Sequence, residues 1–592
     1  MERISFSMLK TKNILGTLSL FGLLQFQILA HGVWTSLTYM APDPNGGVMV
    51  QLSDGTVLVK TSSGGVDGVG NTWNLLTPDY DGTCVQATWT TISPMADTRL
   101  YFSSRLMQDG RLYVAGGEYG TGGGTCEIYD PVNDIWTPVT AGLNGTEQFL
   151  DANSELLPDG RVLQAIVYSS VLGYNGVKIF NPFTNSFSAA PSTLGSHDES
   201  SWVLFPDSSI LFMDIGGTAT ERNIPALNQW IPDGAVPSTI YDGYTSEVGP
   251  ATLLPDGRAF IVGGIHKTAI YTPSGDTTMG SWVMGPDIPM NLCSVDGAGA
   301  MMPNGKFIFC AGPKNLSSAS TDQFLPPSYF FEFDYNTNTI AQTIAPNGGD
   351  SLFVPTYYTN MLVLPDGNIL YASQGDYQYY LYMPDGPQLS AGKPTVNTVT
   401  PISCDQYTIT GTGFNGISEG ANLGHDWQMA TNFPLVRLTQ GGNAYYARTS
   451  NWNRTGVAYG GLPDTAIFEL PNGLPVGSFT LEVIANGIHS DPFNFTPCSS
   501  ASLPTNAPNE EEIRVYPNPA TDQTNIYFWN NQEQVYKITF MDIAGRVVKQ
   551  ETGRTTVGKN TKNIKLEELA KGIYTVMIET SKEINKDKVI IK

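Results

Sequence analysis

Acidic and phenolic residues recur in this chain at a fixed distance ahead of a turn. Tyr101, Asp151, Glu199, Asp296 and Tyr358 each lie eight residues before the Asp or Asn of a turn, and Glu247 lies one place earlier in its own copy. Carboxylates and phenols that converge can do several kinds of chemistry. Hard oxygen donors suit Ca²⁺, and aromatic faces beside polar groups suit hydroxyl-rich ligands such as sugars. Two carboxylates at the right separation also perform acid/base glycoside chemistry, a separation that sequence does not set. The plain alternative is that these residues cap strands and bind water.

The elements that must position them belong to a repeat with a period of about fifty residues. An apolar residue, Pro, Asp or Asn, Gly and an alternating apolar strand recur seven times. The copies start at Leu52, Met107, Leu157, Phe205, Leu254, Met302 and Leu364. Asp-Gly and Asn-Gly tolerate positive φ and turn the chain tightly into the next strand. The β-branched and aromatic residues that follow suit a buried inner strand. The Gly-Gly pairs at 116–117, 216–217 and 263–264 allow close backbone approach where that strand ends. A strand bearing a large side chain comes next in the first five copies: Trp73, Trp136, Phe187, Trp230 and Trp282. One such unit cannot bury both of its faces, so neighbours must stack around an axis. The sixth copy has the weaker match Asn338-Thr-Ile340, and the seventh has none before the next domain. Gly32-Val-Trp-Thr-Ser-Leu37 is therefore expected to complete the seventh unit and join the ends of the ring.

Bulk composition agrees with an all-β chain. Of 592 residues only 14% are charged, while Gly (62) and Pro (39) are plentiful, as in folds of many short strands and tight turns. The net charge of −23 excludes an extended basic surface, and no nucleic-acid partner is expected. Arg3, Lys10 and Lys12 precede an apolar run from Ile14 to Ala30 that reads as a signal peptide over residues 1–30. No later segment is long and apolar enough to span a bilayer as a helix. The six cysteines form no CxxC pair, and the five histidines no pair at metal-binding spacing. Fifteen disulfide connectivities exist on paper. Cys404 and Cys498 nearly bracket one predicted domain and are the pair expected to form.

The repeat resembles the kelch propellers, and within them the galactose-oxidase-like branch, over residues 31 to 390. That resemblance implies a seven-bladed β-propeller and places the six recurring acids and tyrosines near one mouth of its central channel. It also invites a copper-radical reading. The family's cross-linked cysteine would fall near Ser103, its tyrosine partner near Asp151, its second tyrosine on Tyr357 and the adjacent copper-ligating histidine on Tyr358. The last ligand is a histidine in the following domain, and the comparable stretch, Arg448-Thr-Ser-Asn-Trp-Asn453, contains none. Copper(II) needs imidazole and phenolate donors, and only Tyr357 survives. No copper is expected, and no other cofactor, Ca²⁺ being the cation that the oxygen donors would suit.

Tyr407-Thr-Ile-Thr-Gly-Thr-Gly-Phe414 resembles the IPT/TIG immunoglobulin-like fold, giving a second domain over residues 393–498. Gly424-His-Asp-Trp-Gln-Met-Ala-Thr-Asn-Phe-Pro434 is a long insertion in it, expected to face the propeller. A Ser/Pro/Asn-rich linker spans 499–511, and the composition then shifts towards lysine. Val515-Tyr-Pro-Asn-Pro519, Ile538-Thr-Phe-Met-Asp-Ile-Ala-Gly-Arg-Val-Val548 and Leu569-Ala-Lys-Gly-Ile-Tyr-Thr575 resemble the C-terminal sorting domain of the type IX secretion system, here residues 512–592. The resemblance implies export across the outer membrane of a Bacteroidetes-type bacterium, with the secretion machinery as partner. Two functions stay in view: a non-catalytic surface protein binding glycans or protein partners, and a secreted carbohydrate-active enzyme working at the acidic mouth.

Overall fold

The computed structural model describes residues 32–498, apart from 64, 142, 144–146, 168–175, 199–200, 215, 315–323, 425–426 and 458–460. It also describes residues 514–591, apart from 517–519, 531, 543–545 and 581–583. The expected signal peptide lies outside the described residues. No helix among them is long and apolar enough to cross a membrane. The chain divides into two compact units at Cys498–Ser499.

Each Pro-Asp-Gly copy makes a hairpin. In the first, Leu52 N–H donates to the Thr56 carbonyl at 2.8 Å and Gly55 N–H to the Leu52 carbonyl at 3.1 Å. Asp54 Oδ1 accepts the Thr56 amide at 3.1 Å. Gly55 takes φ 79°, a value that side chains resist. Ser208 stands in the glycine's place in the fourth copy and is forced to φ 67°. Every hairpin joins the first two strands of a sheet of four, for example Ser103–Leu106, Leu112–Ala115, Cys126–Asp130 and Ile135–Val139. The repeats give seven such sheets among the described residues, and the sixth, Ala298–Met301 to Thr339–Thr343, is extended to six strands. Their first strands touch in succession, and Thr359–Val363 returns to Asn45–Gln51 to close a ring.

The closing sheet takes its fourth strand from the other end of the chain. Val33–Ser36 pairs antiparallel with Tyr380–Met383, Trp34 opposite Tyr382. The Trp34 ring lies 4.8 Å from Tyr382 and 5.6 Å from both Tyr371 and Phe330, and its indole N–H donates to the Ile344 carbonyl at 2.8 Å. The first sheet departs from the expected pattern. Trp73 begins its third strand, Trp73–Thr77, and the outer strand is Thr88–Thr91 with Trp89. The long connection from 62 to 72 delays the third strand, and Trp73 stacks on Trp136 of the next sheet at 5.7 Å.

Strands from Thr395 to Phe495 come after the ring, in the order Thr395–Pro401, Gln406–Thr412, Pro463–Glu469, Asn443–Ser450, Leu435–Gln440, Phe479–Ala485, with Ile488–His489 and Phe493–Phe495 both on the last. They are not a separate unit. The expected insertion contributes the strand Trp427–Ala430, which forms a hairpin with Gly420–Leu423 just ahead of it, and Gly420–Leu423 pairs with Ala298–Met301 of the sixth sheet. This hairpin touches the first strands of the fifth, sixth and seventh sheets on one side and of the first and second on the other. It therefore occupies the centre of the ring. Arg105 holds it there, with Glu155 at 2.9 Å, Glu419 at 3.2 Å and Gln428 all bound to its guanidinium. Burial pushes the Glu155 carboxyl well above its usual range, opposed by Arg105. Removing one partner from such a buried pair typically costs about 3–5 kcal/mol.

The structure shows no bond between Cys404 and Cys498, the pair expected to form a disulfide. The two are nevertheless neighbours. The Cys498 thiol is held below its ordinary value by hydrogen bonds from Cys404 and Tyr407, and the Tyr407 hydroxyl lies 3.2 Å from Cys498 Sγ. The second unit packs Arg514–Tyr516, Gln523–Asn530 and Gly558–Lys565 in one sheet, and four strands ending in Ile584–Ile591 in another. Ile526, Ile538, Phe540, Ile564, Val576 and Val589 form its own core.

Candidate functional site

The segment leading into each first strand emerges at the end of the ring opposite the Pro-Asp-Gly turns. The fixed offset read from the sequence is the length of that lead plus one strand. Tyr101, Asp151, Glu247 and Asp296 consequently line one cavity of about 360 Å³, and Tyr357, the position expected from the copper-radical comparison, lines it with them. Tyr358 stands behind it, its ring edge-on to Tyr357 at 4.5 Å. Glu199 lies outside the described residues.

Sequence reasoning missed Asp67, Glu118, Tyr119 and Phe324, which complete the wall with Val69 and Leu100. These four sit on connections after second strands, off the repeated offset. Glu118 and Tyr119 come directly after Gly116-Gly117, a signal that could have found them. Asp67 draws the two sides of the cavity together, accepting the Tyr101 hydroxyl at 3.0 Å and the Tyr357 hydroxyl at 3.5 Å. Gln374 backs this arrangement, accepting the Asp67 amide at 3.2 Å and donating to the Tyr357 carbonyl at 3.2 Å.

Backbone geometry is unusual at this end. Asp67, Tyr101, Ser246 and Asp296 all have positive φ, between 42° and 66°, and such residues persist only where their surroundings hold them. The glycine pairs explain how the chain comes so close. A Cβ on Gly264 would lie 2.1 Å from the Glu247 carbonyl oxygen, and Gly117 N–H donates to the Leu150 carbonyl beside Asp151 at 3.1 Å.

The central hairpin reaches the same end. Gly424 N–H donates to the Gly297 carbonyl at 2.9 Å, and Ser201 Oγ donates to the Gly424 carbonyl at 2.7 Å. Trp427 packs its ring against Tyr101 at 5.1 Å. Asp151 and Asp296 are deep, 6% and 7% exposed, whereas Asp67, Glu118 and Tyr119 form an exposed rim. Burial raises the Tyr357 hydroxyl above its ordinary value, helped by Tyr358 and Asp67. Tyr119 is pushed up to about 12 by burial and by Glu118, Asp151 and Asp67. Both phenols remain protonated donors at neutral pH.

Copper fits these donors poorly. The described lining offers carboxylates and phenols without imidazole, and copper(II) favours nitrogen in a tetragonal set. Ser103, at the expected cysteine position, is buried between sheets and donates to Gln164 Oε1 at 2.8 Å. Arg448–Asn453, the stretch compared with the last ligand, lies at the turn end of the ring: Thr449 N–H donates to the Ser53 carbonyl at 3.1 Å. The cavity end is reached instead by the hairpin, whose joining residues His425 and Asp426 lie outside the described residues. His197, two residues before Glu199 in the sequence, is spent inside the fold. It stacks on Phe212 at 3.7 Å, meets Glu221 at 3.0 Å and accepts the Trp202 indole at 2.9 Å. Among the described residues no three His, Cys, Asp or Glu side chains come together closely enough to hold a metal ion.

Comparison with known proteins bears on two segments. Residues 107–141 match the kelch motif, and residues 514–592 match the secretion system C-terminal sorting domain. No curated protein sequence matches the chain. Among solved structures, a fungal alcohol oxidase of the AA5 family in complex with copper is 15% identical, with TM-score 0.48 over 79% of this chain and 99% of that one. A catalytically inactive virginiamycin B lyase from Staphylococcus aureus with quinupristin is 12% identical, with TM-score 0.40 over 60% and 99%. A streptogramin B lyase is 11% identical, with TM-score 0.40 over 60% and 98%. The closed ring of four-stranded sheets, the kelch motif and the sorting domain together make this a kelch-type β-propeller protein that the secretion machinery delivers outside the cell or to the outer-membrane surface.

Proposed function

We propose that the chain is a non-catalytic surface-binding protein that takes a small hydroxyl-rich ligand, of the glycan type, in the cavity at the propeller mouth. One observation carries this reading. Four residues picked out by their spacing from the turns, Tyr101, Asp151, Glu247 and Asp296, line a single cavity with Tyr357, and the five come from five different sheets and give it both aromatic and carboxylate surface. A volume of about 360 Å³ lies at the small end of ligand pockets and suits a sugar-sized molecule. Carboxylates accept hydrogen bonds from hydroxyls, and the rings of Tyr101, Tyr119 and Tyr357 offer faces for stacking. A glycan array, with calorimetric titration of the full exported chain against any sugar it identifies, tests the reading. Binding of a sugar without product formation is expected, weakened at least tenfold by Asp151→Asn or Tyr357→Phe. Binding unaffected by either variant, or turnover of the bound sugar, would overturn it.

A further inference from the structure

The six cysteines fall into two chemical groups. Cys84, Cys126, Cys293 and Cys310 are buried, and burial pushes each of these thiols up, Cys293 and Cys310 to about 11. The thiolate is the reactive form, so these four are inert near neutral pH. Cys404 and Cys498 are only partly buried. Their thiols hydrogen-bond to one another, and that bond, with one from Tyr407, holds the Cys498 thiol below its ordinary value, opposed by the Asp405 carboxylate. A low, accessible thiol beside a second one is the arrangement that disulfide exchange requires. Export takes the chain into compartments where disulfides form and persist.

Tyr407 holds both cysteines in place. Its hydroxyl lies 3.1 Å from the Cys404 carbonyl and 3.2 Å from Cys498 Sγ, and it accepts the Cys498 amide at 2.8 Å. The ring beneath packs on Phe468 at 5.3 Å and Phe495 at 5.0 Å. Cys404 lies in the turn between Thr395–Pro401 and Gln406–Thr412, and Cys498 follows Phe493–Phe495, the last strand of the first unit. Neither cysteine is inside a strand, so the backbone at each can adjust to the geometry of a bond. Phe493–Phe495 is three residues long and pairs, among the described residues, with Phe479–Leu481 alone. Such short edges fray first. The chain runs on from Cys498 to the sorting domain at 514–592, so any pull on that tail reaches the first unit through this strand.

We infer that Cys404 and Cys498 are a dithiol that a disulfide donor oxidises after export, closing a clasp on the last strand of the first unit, with Tyr407 as its positioning residue. The Cys498 thiolate attacks one sulfur of the donor, forming a mixed disulfide and expelling one thiolate. Cys404 then gives its proton to water and attacks the Cys498 sulfur, expelling the second. Two protein thiols become one disulfide and the donor becomes two thiols. The bond closes a loop of roughly ninety residues. To test this, the full exported chain is reduced, freed of reductant and incubated with oxidised glutathione. Intact mass should fall by about 2 Da as the pair closes, and peptide mapping should recover Cys404 joined to Cys498, with the other four thiols reactive only after denaturation. Hydrogen exchange at Phe493–Phe495 should slow at least tenfold on oxidation, and the same treatment should leave it unchanged in Cys404→Ser. Tyr407→Phe keeps the ring packing, so the pH profile of Cys498 alkylation in the reduced chain should shift upward without loss of fold. Both thiols persisting, or a glutathione adduct remaining on Cys498, overturns the dithiol. A disulfide that leaves exchange at Phe493–Phe495 unaltered overturns the clasp, and an unmoved pH profile overturns the role of Tyr407. The oxidised and reduced forms of the unaltered protein decide the first two points even where a variant does not fold.

Discussion

Two single residues show what the repeat demands and what the mouth costs. Ser208 adopts the φ of 67° that glycine takes in the sister turns, a conformation costing a side chain about 1–2 kcal/mol. Ser208→Gly removes that strain but gives back some unfolded-chain entropy, so a gain of under about 1 kcal/mol in urea denaturation is expected; a loss would mean that the Ser208 side chain is needed. Lys60 is a different case. It is buried just behind the loop that carries Asp67, and its ammonium donates only to the Thr61 and Gly68 carbonyls, both at 3.1 Å. Burial lowers it from 10.5 to about 7. From pH 7 to 10.5 the unfolded chain holds this proton and the folded chain does not, so stability rises with pH across that window and levels off below it. Between pH 7 and pH 9 the effect is about 2 kcal/mol. Denaturation of Lys60→Met at both pH values should lack that increment relative to the unaltered protein. Equal pH dependence in the two proteins would show that Lys60 keeps its proton when folded.

At the scale of elements, local signals were legible and long-range ones were not. A Pro-Asp-Gly turn is decided by three or four adjacent residues, so all seven hairpins could be read, and with strand length fixed the mouth positions came from counting. Asp67 and Phe324 escaped because loops after second strands vary in length from sheet to sheet. The central hairpin could be expected only to face the propeller, since its partners Ala298–Met301 and Arg105 are more than a hundred residues away in sequence. Its fit depends on Gly47, whose φ is 110° and whose added Cβ would lie 2.0 Å from the Trp427 ring. Gly257 makes a matched control, with φ 86° and nothing within 4 Å of its added Cβ. Gly257→Ala should cost only backbone strain, about 1–2 kcal/mol. Gly47→Ala must also displace Trp427 from Tyr101, adding an overpacking cost of about 1–3 kcal/mol and weakening any ligand at the mouth. Equal losses in the two variants, measured by thermal unfolding, would remove Trp427 from the support of the cavity.

For the whole molecule, sequence composition sets a first boundary near residue 390, whereas the compact unit runs to Cys498. The difference is physical. In a kelch ring closed by Val33–Ser36 the last sheet has its full four strands, yet the centre is filled from outside, by strands Gly420–Leu423 and Trp427–Ala430. Without them Ala298–Met301 loses a partner strand, Glu155 and Arg105 lose Glu419 and Gln428, and Tyr101 loses the ring beneath it. Buried polar groups stripped of partners cost about 1–3 kcal/mol each, enough in sum to exhaust the stability of an ordinary domain. A chain ending at residue 390 is therefore expected to be insoluble or to melt at least about 10 °C below one ending at Cys498. The sorting domain, with its own core around Ile538 and Val576, should add a separate calorimetric transition and leave the first unchanged. If the shorter chain instead melted at the same temperature as the longer, the hairpin would be a passenger in the channel, and the floor it gives the cavity would have to be found elsewhere.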